Sequence, residues 1–243
     1  MATIRNEIMQ NLSGKYEGKN CVVFGASSSV GIGISRFLSQ AGANLGLIDL
    51  ESYDSAKLVN EVNMDDGLCV KKSVISGQEE SFSNAIKEIV DALGSIDFLV
   101  LTFYIETFRE KFVEENFSLN NWDNALRDWV FNYFLTAREV VPLIVKSSGG
   151  RLVFINTTNG YTGEGEGEGE LTGGGTIYES ACSSAITGMM TSIARDIIPK
   201  GVSVNGVALG PNYKKDLERT IWAIELWLSG VCEYACGQNI RLY

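Results

Sequence analysis

Any chemistry in this chain has to be carried by side chains other than histidine, because its 243 residues contain none. That absence removes the commonest general base, the Ser-His and Cys-His nucleophile pairs and most zinc sites. Carboxylates, tyrosines, lysines or a bound cofactor remain. Gly25-Ala26-Ser27-Ser28-Ser29-Val30-Gly31-Ile32-Gly33 is a glycine–serine turn behind a short apolar run. Such a turn lets backbone approach a pyrophosphate at a helix N-terminus. Asp49 follows about 20 residues on, where a carboxylate could bind an adenosine ribose. Thr157, Tyr161, Tyr178 and Glu179 supply hydroxyls and a carboxylate further down the chain. In a desolvated cleft Glu179 could be tuned into a general base. In the first turn of a helix it would equally complement the helix dipole. The five cysteines, Cys21, Cys69, Cys182, Cys232 and Cys236, read as buried reduced thiols, and no metal site is expected.

The elements that must position these residues alternate between strand and helix. Cys21–Phe24 reads as a buried strand, followed by the turn and a helix that stops near Gly42; Asn44–Ile48 is a second strand closed by Asp49. Ala85–Leu93 has helical spacing, and Ile96–Leu101 is the next strand. Trp122–Val145 is expected as one long helix, Arg151–Ile155 as a strand, and Ala181–Ile198 as a helix ended by Pro199 and Gly201. Val202–Ala208, a short helix over Ile221–Leu228 and a strand over Asn239–Tyr243 complete the series. This pattern predicts an α/β fold: a Rossmann-like, doubly wound parallel sheet with helices on both faces, in a single domain over 1–243. Residues 162–176 contain a Gly-Glu repeat and three further glycines. Glycine entropy and like-charge repulsion oppose order there, so a mobile loop is expected. Trp122, Trp129, Trp222 and Trp227 fall in predicted helices, which points to packing or an interface.

Composition narrows the partners. The net charge is −10, which disfavours a nucleic-acid groove and an anionic membrane surface. No apolar run is long enough for a membrane helix, and the polar start lacks a secretory core, so a cytoplasmic location is expected.

The residues quoted for the turn resemble the TGxxxGxG motif of short-chain dehydrogenases. Gly25 and Gly31 match, Ser29 stands at the middle glycine, and Phe24 at the threonine. The resemblance continues through Ile96–Val100, Trp122-Asp123 with Pro142, Gly150–Ile155, Ser180-Ala181 with Ala185 and Gly188, Pro199–Asn205 and Cys236-Gly237-Gln238. It implies NAD as cofactor, bound by Gly25, Ser29, Gly31 and Asp49, and assembly through the family's fourth and fifth helices.

Its catalytic positions have changed. The family uses Asn, Ser, Tyr and Lys; this chain places Trp129, Thr157, Glu179 and Ser183 there. Anchoring on Tyr178 instead puts Cys182 at the lysine position. Either register loses the cation that lowers the tyrosine pKa, and a phenol near pKa 10 is a poor base at neutral pH. Leu101-Thr102-Phe103-Tyr104 replaces the family's NNAG, so Phe103 and Tyr104 are expected to fill the adenosine path. Ser73 replaces an adenine-contacting aspartate, and Leu209-Gly210 a Pro-Gly pair; the loop from Pro211 to Arg219 is short.

These losses imply a chain with no catalytic residues, a vestigial cofactor site and no cofactor expected unless NAD still binds. It would assemble with an active NAD-dependent paralogue in a hetero-oligomeric alcohol or hydroxyacyl-CoA dehydrogenase. The family includes such heteromers, among them a hydroxyacyl-CoA dehydrogenase of anaerobic toluene breakdown. Two other readings stay open: an enzyme repurposed as a cyclase, lyase or isomerase around Glu179, Tyr178, Tyr161 or Thr157, and an NAD-binding regulatory module.

Overall fold

The structure, a computed structural model, describes residues 14–53, 67–102, 118–147, 149–162, 177–210, 213 and 217–243. In chain order the elements are β1 (Asn20–Phe24), α1 (Ser29–Gln40), β2 (Asn44–Leu50), β3 (Cys69–Val74), α2 (Glu79–Leu93) and β4 (Phe98–Leu101). Then come α3 (Leu119–Ala125), a π-helical turn (Leu126–Phe131), α4 (Asn132–Ile144), β5 (Arg151–Thr157) and the short α5 (Asn159–Thr162). The last are α6 (Ile177–Ile197), a 3-10 turn, β6 (Ser203–Leu209), α7 (Leu217–Leu228) and β7 (Asn239–Leu242).

Among the described residues seven strands pair in parallel in the order β3-β2-β1-β4-β5-β6-β7. Successive parallel strands need a crossover, and the helices supply it. α1 packs with α7, α2 packs with α4, and α4 and α6 each pack with the π-helical turn. Strands inside such a sheet are covered on both faces: β1, β4 and β6 are buried at every residue. The strand order reverses direction between β1 and β4, and a ligand crevice in such sheets opens outside the carboxyl ends of the strands there. Phe24 pairs with both Ile48 and Leu101, so three strands end level at that point.

Three features differ from the expected elements. β3 is absent from the predicted series because CVKKSV is a half-exposed edge strand with two lysines, and it carries no run of apolar residues. The expected single helix over Trp122–Val145 is interrupted by the π-helical turn. Side-chain periodicity does not report one inserted residue in a helix, although such insertions concentrate at functional sites. α2 and α6 both begin earlier than their apolar periodicity, at Glu79 and Ile177. The expected mobile loop lies, apart from Thr162, outside the described residues. No helix among the described residues is long and apolar enough to cross a membrane.

The turn after β1 rests on two glycines. Gly25 takes φ +75°, and a Cβ on Gly31 would lie 2.1 Å from the Gly25 carbonyl oxygen. Gly31→Ala is expected to lower Tm by on the order of 10 °C, given a cost of roughly 3 kcal/mol for forced overpacking. Gly188, in mid-helix with nothing within 4 Å of a built Cβ, makes the control. Gly188→Ala is expected to hold or raise Tm, because alanine is the better helix former. Thermal denaturation of both variants checks the pair.

Candidate functional site

The switch-point end of the sheet gathers most of the residues singled out in the sequence. Ser28 and Ser29 belong to the turn, and Thr102 and Asp49 lie beside it after β4 and in β2. Ser28 caps α1, its Oγ accepting the Gly31 N–H at 2.9 Å. Thr102, directly after β4, is fully buried; its Oγ1 lies 2.9 Å from the Phe24 carbonyl, 2.7 Å from that of Gly25 and 3.0 Å from Ser28 Oγ. Ser29 is exposed at the first position of α1. Asp49 is only 3% exposed, so it is no solvated strand-end acid. Its Oδ1 accepts the Ser27 N–H at 2.8 Å and its Oδ2 the Ser27 hydroxyl at 2.7 Å.

The second cluster lies where β5 runs into α5 and α6. Thr157 Oγ1 and Ser183 Oγ are 2.7 Å apart, and the Thr157 N–H donates to the same Ser183 oxygen at 3.2 Å. Both are buried. The residues that the resemblance sets at the serine and lysine positions are two hydroxyls that bond each other. Glu179, 8% exposed on the first turn of α6, accepts from the Asn159 side-chain amide. Tyr178 lies apart from this hydroxyl pair. It is buried with its ring 6.1 Å from that of Trp122, and its hydroxyl points to the Ser118 carbonyl at 3.4 Å. Cys182 offers no substitute for lysine: burial, with the Glu179 charge adding, pushes its thiol up to about 12, so it stays neutral. Trp129, at the asparagine position, is buried within the π-helical turn. That turn is clamped to the segment after β3: Ser76 donates to Asp128, and Asn132 accepts from the Gly77 N–H at 2.9 Å and donates to Ser76 at 3.1 Å.

Several contributors carry no signal in the sequence. Tyr133 is fully buried behind the crevice, its hydroxyl 2.9 Å from both the Leu101 and the Ile155 carbonyl oxygens, and burial holds its phenol well above the usual range. A polar ladder extends from Ser183: Thr187 donates to the Ser183 carbonyl, accepts from Asn156 at 2.6 Å and lies 3.2 Å from the Tyr161 hydroxyl. Asn239 donates to that hydroxyl at 2.8 Å, and the Arg241 guanidinium lies over the Tyr161 ring at 4.0 Å. Tyr161 is thus occupied by β7 and α6. Asn239 and Arg241 meet it only through long-range folding. Phe103 and Tyr104, expected in the groove, lie outside the described residues, as does most of the loop after β6. Ser73 is exposed. Among the described residues no three of His, Cys, Asp and Glu gather as a metal site.

A nicotinamide dinucleotide can be tested against this geometry. The turn keeps its shape, and the α1 N-terminus faces the crevice. At the adenosine end, however, both Asp49 oxygens already hold donors from Ser27. At the redox end neither candidate register supplies a cation, and the hydroxyl that would face the nicotinamide ribose is bonded to Thr157. Both ends of the site are thus held by bonds within this chain.

Comparison with known proteins bears on the same residues. Residues 19–222 match the family model described as short chain dehydrogenase. The 3-oxoacyl-(acyl-carrier-protein) reductase of Aquifex aeolicus is 27% identical over 199 residues, covering 81% of this chain and 75% of that protein. The D-beta-hydroxybutyrate dehydrogenase of Rhizobium meliloti is 24% identical over 197 residues, covering 79% and 70%. Among solved structures, a short-chain dehydrogenase/reductase from Serratia marcescens superposes with a TM-score of 0.76 at 22% identity, covering 94% and 97% of the two chains. Levodione reductase superposes with a TM-score of 0.79 at 16% identity, covering 93% and 96%. Both structural likenesses concern the fold.

The Thr157–Ser183 pair is testable without a substrate. Thr157→Val removes a buried partner and is expected to cost about 1–2 kcal/mol. In urea denaturation, a double-mutant cycle with Ser183→Ala should show coupling of about 1 kcal/mol; additive effects would separate the two hydroxyls.

Proposed function

The chain belongs to the short-chain dehydrogenase family, and from that premise we propose that it is a non-catalytic subunit assembling with an active NAD-dependent paralogue. The observation that carries this reading is the Thr157–Ser183 bond: the position that would hold the active-site cation holds a buried hydroxyl bonded to its neighbour. A general base for alcohol oxidation must titrate near the working pH. Tyr178, buried under Trp122 in the neighbouring register, has only the neutral Cys182 four residues on.

The surface reserved for a partner is the face of α4 and α6, the family's fourth and fifth helices. A groove of about 400 Å³ runs between them, lined by Phe134, Ala137, Val141, Met189, Ser192 and Ile193. Phe131 and Phe134 are exposed and stacked at 6.2 Å beside it. Gly188 is exposed in the middle of the 21-residue α6, and nothing among the described residues requires a glycine there. An exposed glycine costs a helix about 1 kcal/mol relative to alanine. A second backbone crossing at Gly188 explains its presence. The partner is an active subunit whose own site supplies the redox chemistry, with an alcohol or hydroxyacyl-CoA as substrate class.

A second reading has one observation in its favour. Glu179 is a buried carboxylate at the former tyrosine position, oriented by Asn159. It would serve as acid/base in a non-redox cyclase, lyase or isomerase.

Two variants separate these readings. Gly188→Leu is expected to abolish the complex with the active subunit on size-exclusion chromatography with light scattering, while the chain stays folded; an intact complex rules out this face. Glu179→Gln is expected to leave the activity of the assembled complex within about twofold. A loss of about a hundredfold would assign the chemistry to this chain.

A further inference from the structure

In a dinucleotide site of this fold the strand-end carboxylate accepts a ribose hydroxyl. Both oxygens of the Asp49 carboxylate already accept a donor from the turn. One Ser27 donor reaches Oδ1 at 2.8 Å, and the other reaches Oδ2 at 2.7 Å. We propose that Ser27 occupies the ribose subsite of its own turn, completing it without a nucleotide and selecting against nucleotide binding. The inference concerns the adenosine end alone, so it stands apart from whether the chain catalyses anything.

The rest of the turn is closed in the same way. The Gly25 and Ala26 N–H groups donate to the Ile48 carbonyl, the Ser28 N–H to Gly25, the Gly31 N–H to Ser28 Oγ and the Ile32 N–H to the Ser28 carbonyl. Ser27 itself is committed to Asp49. Only the Ser29 and Val30 amides, the first two of α1, have no acceptor among the described residues. A turn that waits for a dinucleotide keeps its acid for the ribose. Here Thr102, fully buried, adds a further tie by bonding the Phe24 and Gly25 carbonyls and Ser28 together. Charge-assisted hydrogen bonds to a buried carboxylate are the strong ones, so a ribose would have to compete with partners that are already in place.

The probe is ADP-ribose, which carries the adenosine end and pyrophosphate but no nicotinamide. Isothermal titration of the full chain is expected to show no binding up to about 1 mM. A Kd below about 100 μM would overturn the proposal. Ser27→Ala frees one Asp49 oxygen and is expected to lower Tm by roughly 2–8 °C. About 1 mM ADP-ribose is expected to recover part of that loss in the variant while leaving the native chain unmoved. No recovery in the variant would overturn the proposal. Asp49→Ala gives an independent reading: it should lower Tm without any ligand, and an unchanged Tm would show that the clasp does not hold the turn.

Discussion

The close approach of Gly31 to the Gly25 carbonyl is the constraint on which the site depends. With no side chain at either position, α1 starts directly over the end of β1. That brings Ser27 within reach of Asp49 on β2, and Ser28 within reach of Thr102 after β4. Three strand ends and one helix start are thereby joined by side chains of modest size. The same approach would admit a pyrophosphate in a family member that keeps its acid free. In this chain the junction has been closed with serine and threonine hydroxyls, which satisfy buried carbonyls and a carboxylate that would otherwise need a ligand or water.

Much of this was readable beforehand. The βαβ unit, the glycine turn, the strand-end position of Asp49 and the family itself follow from short motifs and from periodicity in buried elements, where burial on both faces leaves a strong apolar signal. β3 was not readable, because an edge strand with lysines at two of six positions gives no such signal. The π-helical turn was hidden for a different reason: one extra residue in a helix shifts the register without changing composition. Trp129 marks it only in retrospect.

The candidate site was legible as a set of positions and not as a set of contacts. Trp129, Thr157, Glu179 and Ser183 could be placed by motif, and the structure brings the last three around the junction of β5 and α6. Which of them bond is decided by partners distant in sequence. Ser183 meets Thr157, Glu179 meets Asn159, and Tyr161 is taken by Asn239 and Arg241 from the last strand. Tyr178 packs under Trp122, away from Thr157, on a helix whose start the motif could not locate. Asp49 was readable as a ribose ligand, but its bonds to Ser27, two residues past the glycine that opens the turn, were not.

A non-catalytic subunit of this family should not hold a nicotinamide nucleotide by itself. Titrating the purified chain with NADH, following nucleotide fluorescence and heat together and oligomeric state by light scattering, addresses that directly. No saturable binding is expected, and an active complex only when a catalytic paralogue is added. Saturable binding of NADH to the chain alone at micromolar concentration would contradict this reading and place a working cofactor site in this subunit.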